Sequence, residues 1–174
     1  MSIQLQPPSL ELKESYLSLV DEFRQRGEWL IPFPLKFPTD DFPAFLERLR
    51  QCALGSEIPN GFVAHETFWL VEDGAHVVGV SNLRHTLTDR LRKDGGHIGY
   101  GIRPSARRRG HASCILKETL LKAQARGITR ALVTAEKGNV GSIKTILKNG
   151  GVFDSEELLP GYEDMMQRFW ITIG

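Results

Sequence analysis

Residues 97–112 read His97-Ile98-Gly99-Tyr100-Gly101-Ile102-Arg103-Pro104-Ser105-Ala106-Arg107-Arg108-Arg109-Gly110-His111-Ala112. The first six predict a strand from His97 to about Ile102, which Pro104 ends. After the basic turn, Ala112, Ile115, Leu116, Thr119, Leu120 and Ala123 recur at helical spacing until Gly127. Ala131-Leu132-Val133-Thr134-Ala135 is the next strand. Residues 97–135 therefore predict a β-α-β unit, its two strands parallel neighbours joined by a right-handed crossover.

The turn Arg107-Arg108-Arg109-Gly110-His111-Ala112 opens that helix. A helix N-terminus leaves its first N–H groups without partners and carries partial positive charge, so a glycine-containing turn there can cradle a phosphate. Three arginines add formal charge, and Gly110 and Ala112 keep the approach open. Taken alone, the six residues read equally as a solvated basic turn with a packing glycine. The P-loop pattern is absent, and the only G-x-G, Gly99-Tyr100-Gly101, lies inside a strand with no third glycine on schedule. Neither nucleotide fingerprint applies.

Upstream, Ile3 and Leu5 mark a short strand ended by Pro7-Pro8. Leu12, Tyr16, Leu19, Val20 and Phe23 form one helical face, stopped at Gly27. Residues 29–42 mix three prolines with Trp29, Leu30, Ile31, Phe33, Leu35 and Phe37, which predicts an ordered aromatic loop, either pocket wall or core lid. Thr39 is read as the cap of a second helix from about Asp41 to Leu54. Residues 67–71 and 76–84 flank Asp73-Gly74 as the clearest hairpin. The charged stretch 89–94 is read as a loop.

Downstream of the β-α-β unit, Asn139 and Ser142 open a short helix carrying Val140, Ile143, Ile146 and Leu147. The same two residues have a plain reading as cap and first turn. Strands near 152–156 and 165–173, joined through Pro160-Gly161, complete the sheet.

A chain of 174 residues with 41% hydrophobic and 25% charged content suits one globular domain, 1–174. Twenty-two Lys and Arg against 21 Asp and Glu leave a charge of +1, so neither nucleic acid nor a membrane surface is an expected partner. Arg107–Arg109 lack the neighbouring aromatic platform that stacks bases. No apolar run is long enough for a bilayer and no leader is evident, so a cytoplasmic location is expected. Cys52 and Cys114 read as reduced thiols, and no metal site is expected.

With these elements in place, the chain resembles the GNAT superfamily of acyl-CoA-dependent N-acyltransferases. Arg107, Gly110 and Ala112 match the family's Q/R-x-x-G-x-G/A signature, directly after the strand ending Gly101-Ile102-Arg103-Pro104. Asn139, Ser142 and Gly150 resemble its N-x-x-A/S segment, and the order of elements over residues 3–173 agrees. The combination of 97–104 with 139–151 is similar to a bacterial branch of predicted acetyltransferases. The implied fold is α/β (α+β): a mixed, mostly antiparallel central sheet flanked by helices, with a parallel β-α-β cofactor-binding unit.

The resemblance implies acetyl-CoA as co-substrate and a primary amine of a small molecule or peptide as acceptor. The backbone of Tyr100, Gly101 and Ile102 would pair with the pantetheine arm. N–H groups of Arg107, Arg108, Arg109, Gly110, His111 and Ala112 would hold the pyrophosphate. Asn139 would touch the pantetheine or thioester end, with Ser142 beside it. Family members are often dimers, so a homodimer is a possible partner state.

Two departures stand out. Many members carry a glutamate near the start of the central strand, where this chain has Gly96. His97 is the adjacent candidate base, with Glu66 and His85 behind it. A helical tyrosine that often serves as the acid corresponds to Ile146, leaving Tyr100 or Tyr162 as substitutes. Trp29, Phe33, Phe37, Trp69 and the Ile58-Pro59-Asn60-Gly61-Phe62 loop either line an acceptor pocket or belong to the core. The alternative to an enzyme is a sensor module of the same fold that binds acyl-CoA without turning it over.

Overall fold

The computed structural model describes residues 1–174. In chain order, β1 (Ile3–Gln6) leads to α1 (Lys13–Gln25) and α2 (Phe42–Leu54). The hairpin β2 (His65–Glu72) and β3 (His76–Arg84) follows, then the short α3 (Asp89–Lys93), β4 (Ile98–Ile102) and α4 (His111–Ala125). The last elements are β5 (Arg130–Glu136), α5 (Val140–Lys148), β6 (Gly151–Glu157) and β7 (Met166–Thr172). Asp73 and Gly74 turn the hairpin with φ of 50° and 68° inside a three-residue connection, and Ala75 N–H closes the turn on Glu72 O at 3.1 Å.

Two local expectations are corrected. The cap of α2 is Asp41, whose Oδ1 accepts from Ala44 N–H at 3.0 Å, because the helix begins at Phe42 and Thr39 lies too far upstream. The stretch read as a charged loop contains α3. Thr88 Oγ1 accepts from Leu91 N–H at 3.2 Å, and Leu91 alone is buried there, so one cap and one apolar anchor suffice.

Strands β1-β2-β3-β4 form one sheet and β5-β7-β6 another, with every ladder antiparallel. The expected parallel pairing of β4 with β5 is not a ladder. Just before β4, His97 N–H donates to Leu132 O at 2.8 Å, and Leu132 N–H donates to His97 Nδ1 at 2.9 Å. An imidazole thus stands where a carbonyl would continue the pairing, and β4 keeps its second edge free. Gly96 permits this close approach: its φ is +55°, and a Cβ there would lie 2.3 Å from Leu132 O.

Each face of the first sheet has its own core. Phe68, Leu70, Val78, Leu83, Ile98 and Ile102 pack on Ile115, Leu116 and Leu120 of α4. On the other face, Trp69, Val71, Val77 and Val80 meet α1 and α2, with Trp69 stacked on Tyr16 at 4.6 Å. The two cores follow from strand alternation, since successive side chains point to opposite faces.

Candidate active site

Which backbone groups of β4 are free follows from its register against β3. Arg84 N–H donates to His97 O at 2.7 Å and Arg103 N–H to Val78 O at 2.8 Å, which fixes the hydrogen-bonded pairs as 84/97, 82/99, 80/101 and 78/103. The main-chain groups of Ile98 and Tyr100 and the N–H of Ile102 therefore face the open edge, whereas Ile102 O accepts from Arg107 Nε. Those of Gly101 are spent on β3, so of the three residues expected to pair with a ligand strand, Tyr100 and Ile102 are placed for it and Gly101 is not. Ile98, which the sequence reading omitted, takes its place.

Gly101 serves the other face. A Cβ there would lie 2.1 Å from Ile31 O, so its absence lets the loop after α1 lie directly on β4.

At the C-terminal end of β4 the chain turns through Arg103–Gly110 into α4. Arg108 and Gly110 both adopt left-handed backbone, φ 61° and 84°, and a Cβ on Gly110 would point into open space. The N–H groups of six consecutive residues, Arg108 to Ser113, have no hydrogen-bond acceptor within the chain, whereas Arg107 N–H reaches Pro104 O at 3.4 Å. These are the donors of an anion cradle at a helix N-terminus. A diphosphate fits it chemically: oriented donors, a favourable dipole and no side chain where Gly110 faces.

The three arginines do unlike things. Arg107 forks onto Glu28 at 2.6 and 2.9 Å and caps Ile102 O at 3.2 Å, tying the end of α1 to the cradle and holding the Glu28 carboxyl below its usual range. Arg109 lies 3.1 Å from Glu72. Arg108 has no side-chain partner and is exposed, so it alone offers an uncommitted charge. The buried His111 sits 3.7 Å from Glu72, its pKa lowered chiefly by burial.

Across the open edge, the Tyr100 hydroxyl meets Ser142 Oγ at 2.9 Å, and burial raises its pKa. Asn139 caps α5, its Oδ1 accepting from Ser142 N–H at 3.1 Å, which leaves its amide N–H groups available. Asn139 is thus the cap and Ser142 a first-turn residue, and Ser142 alone of the two is shown to reach β4.

The candidate bases are otherwise engaged. His97 is buried, its Nδ1 lone pair is taken by Leu132 N–H, and desolvation holds its pKa at about 4. Glu66 lies two strands from β4, on the face of α4, where Arg126 donates to its Oε2 at 3.0 and 3.1 Å and His85 stands 3.8 Å away. Tyr162 donates to Asp94, and Ile146 is fully buried in the core beside α4. A carboxylate at position 96 would have no space.

On the opposite face of the sheet, strand alternation brings His65 and Thr67 of β2, Asn82 and Arg84 of β3 and the bare Gly99 of β4 into one polar floor. Pro32 and Phe33 roof it, with Phe33 4.8 Å from the His65 ring. Phe33, Phe37, Pro59, Phe62 and His65 border a cavity of about 100 Å³, together with Arg48, Cys52 and Glu57. Of the aromatic residues singled out in the sequence, Phe33, Phe37 and Phe62 line this cavity. Trp69 is core and Trp29 is 80% exposed. The floor was not foreseen, and its signal is the run of polar residues at 65, 67, 82 and 84 on one face of an otherwise apolar hairpin.

No group of three or more His, Cys, Asp or Glu side chains is arranged to hold a metal ion, and no helix is long and apolar enough to cross a membrane.

Residues 25–150 match the sequence profile of the acetyltransferase (GNAT) family. Among curated proteins none matches the chain significantly. Solved structures share the fold. RimL, a ribosomal L7/L12 alpha-N-protein acetyltransferase in complex with coenzyme A, superposes with a TM-score of 0.72 at 14% identity, covering 99% of this chain and 95% of that one. RimJ of Mycobacterium smegmatis, in complex with CoA-disulfide, gives 0.71 at 17% identity over 98% and 81%. The microcin C7 self immunity acetyltransferase MccE, in complex with acetyl-CoA and AMP, gives 0.68 at 16% over 98% and 92%.

Proposed function

The chain belongs to the acetyltransferase (GNAT) family, and on that premise we propose that it moves an acetyl group from acetyl-CoA to the primary amine of a small molecule or peptide. The observation that carries this reading is the row of unpartnered N–H groups at Arg108–Ser113 beside the free edge of β4. The coenzyme complexes of RimL and MccE support the same donor.

Acetyl-CoA supplies an activated thioester: its C–S bond breaks as the C–N bond forms, the amine loses one proton and the departing sulfur gains one. The cradle would hold the diphosphate, with Arg108 adding charge. Ile98, Tyr100 and Ile102 would pair with the amides of the pantetheine arm as an added strand. Backbone N–H groups on the same edge would stabilise charge on the thioester oxygen. Tyr100, kept protonated by burial, would return a proton to sulfur. No side-chain base is free, so the amine sheds its proton to solvent; an α-amine with a pKa of about 7.7–8.0 is partly neutral near pH 7 without help.

The test is acceptor-dependent release of free CoA thiol across a panel of amines. Turnover of any amine supports the reading. Acetyl-CoA binding without turnover of a broad panel would favour the sensor alternative, which the sealed His97 lone pair and the lack of space at Gly96 make specific.

A further inference from the structure

Arg84 is a half-buried cation without a carboxylate partner. Its Nη1 donates to Gly95 O at 2.7 Å and Gly96 O at 3.1 Å, and its remaining N–H groups have no acceptor within the chain. Asp94, whose charge it feels, instead accepts the Tyr162 hydroxyl. The guanidinium lies beside the bare face of Gly99, where Nη2 would sit 3.5 Å from a Cβ. A charge partly withdrawn from water and left without a counter-ion is favourably placed to receive an anion on this face of β4.

Three further observations describe what carries that anion. Arg84 is the register partner of His65, and its guanidinium lies 5.9 Å from the Phe33 ring, so it adjoins the aromatic cavity. That cavity, at about 100 Å³, is far below the about 300 Å³ at which sites for larger ligands begin, so it holds one side group. Asn82, the register partner of Gly99, is fully buried, and its Oδ1 has no donor. It adds to the polar character of the floor but is sealed beneath it.

We propose that this face is the acceptor site and that it takes a free α-amino acid with an aromatic side chain. The carboxylate would lie on Arg84, the ring among Phe33, Phe37 and Phe62, and the amine over the bare face of Gly99, toward the free edge of β4. The inference rests on the acetyltransferase reading and narrows its substrate. It also accounts for turnover without a side-chain base. Pairing the carboxylate with a guanidinium removes the negative field that makes a free amino acid's amine more basic than a peptide's. A site holding an unpaired arginine disfavours polyamines and lysine side chains for the same reason.

The experiment compares kcat/KM for L-phenylalanine and L-tyrosine with that for L-phenylalaninamide, phenethylamine, L-alanine and spermidine. Stabilisation by acetyl-CoA is measured in parallel. Loss of a charge-assisted hydrogen bond corresponds to at least about tenfold, so the amide and phenethylamine should fall by that factor or more, and alanine should fall for want of a ring. Arg84→Gln should erase the preference for acid over amide while leaving the acetyl-CoA shift intact. Arg84→Lys should keep part of it.

Equal turnover of acid and amide would overturn the inference. So would failure of both aromatic acids while acetyl-CoA still stabilises the protein or another amine is acetylated. Absence of any acetyl-CoA effect would instead remove the acetyltransferase reading itself, and the inference with it.

Discussion

Gly110 shows what a single position contributes and how much of it can be read without coordinates. The match of Arg107, Gly110 and Ala112 to a known signature located the cradle, but the division of labour among the arginines was illegible, because it depends on Glu28 and Glu72, 79 and 37 residues away. Gly110→Asp should abolish acetyl-CoA binding, measured by calorimetry, since a carboxylate would enter the donor row. His97 was legible as a titratable residue beside the strand, and illegible as one whose lone pair is used.

With a folded pKa of about 4 against about 6.5 unfolded, His97 binds its proton more readily in the unfolded chain. Its contribution to stability is therefore complete above pH 6.5 and lost as pH falls toward 4. His97→Ala should be less stable at pH 7 and show a shallower acid dependence between those values. The pH–rate profile of the wild type should carry no inflection from this residue between pH 6 and 8.

At the scale of elements, the decisive feature is the parting of β4 from β5. Sequence patterning identified both strands and the intervening helix, because alternation and helical periodicity are local. The gap between them was not legible, since it arises from an imidazole replacing a carbonyl and from a glycine with left-handed backbone. Gly96→Ala should test this junction. A Cβ 2.3 Å from Leu132 O on a residue at φ +55° should cost about 1–3 kcal/mol, read from denaturant midpoints. The helix at Asp89–Lys93 escaped notice because its five residues carry one buried side chain and no periodicity.

For the whole molecule, two cores on opposite faces of one sheet divide the work. The core under α4 fixes the cradle and the Tyr100 side of β4. The core under α1 and α2 fixes the loop that roofs Arg84 and Gly99. Trp69→Ala removes a fully buried ring stacked on Tyr16 and should cost about 3–5 kcal/mol, shifting the thermal midpoint by several degrees. Its signature would be weaker acceptor affinity with little change in acetyl-CoA affinity per folded molecule, because the lesion lies on the roofed face.

The donor site is tested by the thermal midpoint of the purified protein with saturating acetyl-CoA, compared with NADPH and a short DNA duplex. Ligand at a hundred times its dissociation constant adds about 2.7 kcal/mol, enough to raise the midpoint measurably in a chain of 174 residues. Acetyl-CoA should raise the midpoint, the controls should leave it unchanged, and Gly110→Asp should show no rise with acetyl-CoA. No rise with millimolar acetyl-CoA, or an equal rise in Gly110→Asp, would contradict the placement of that site.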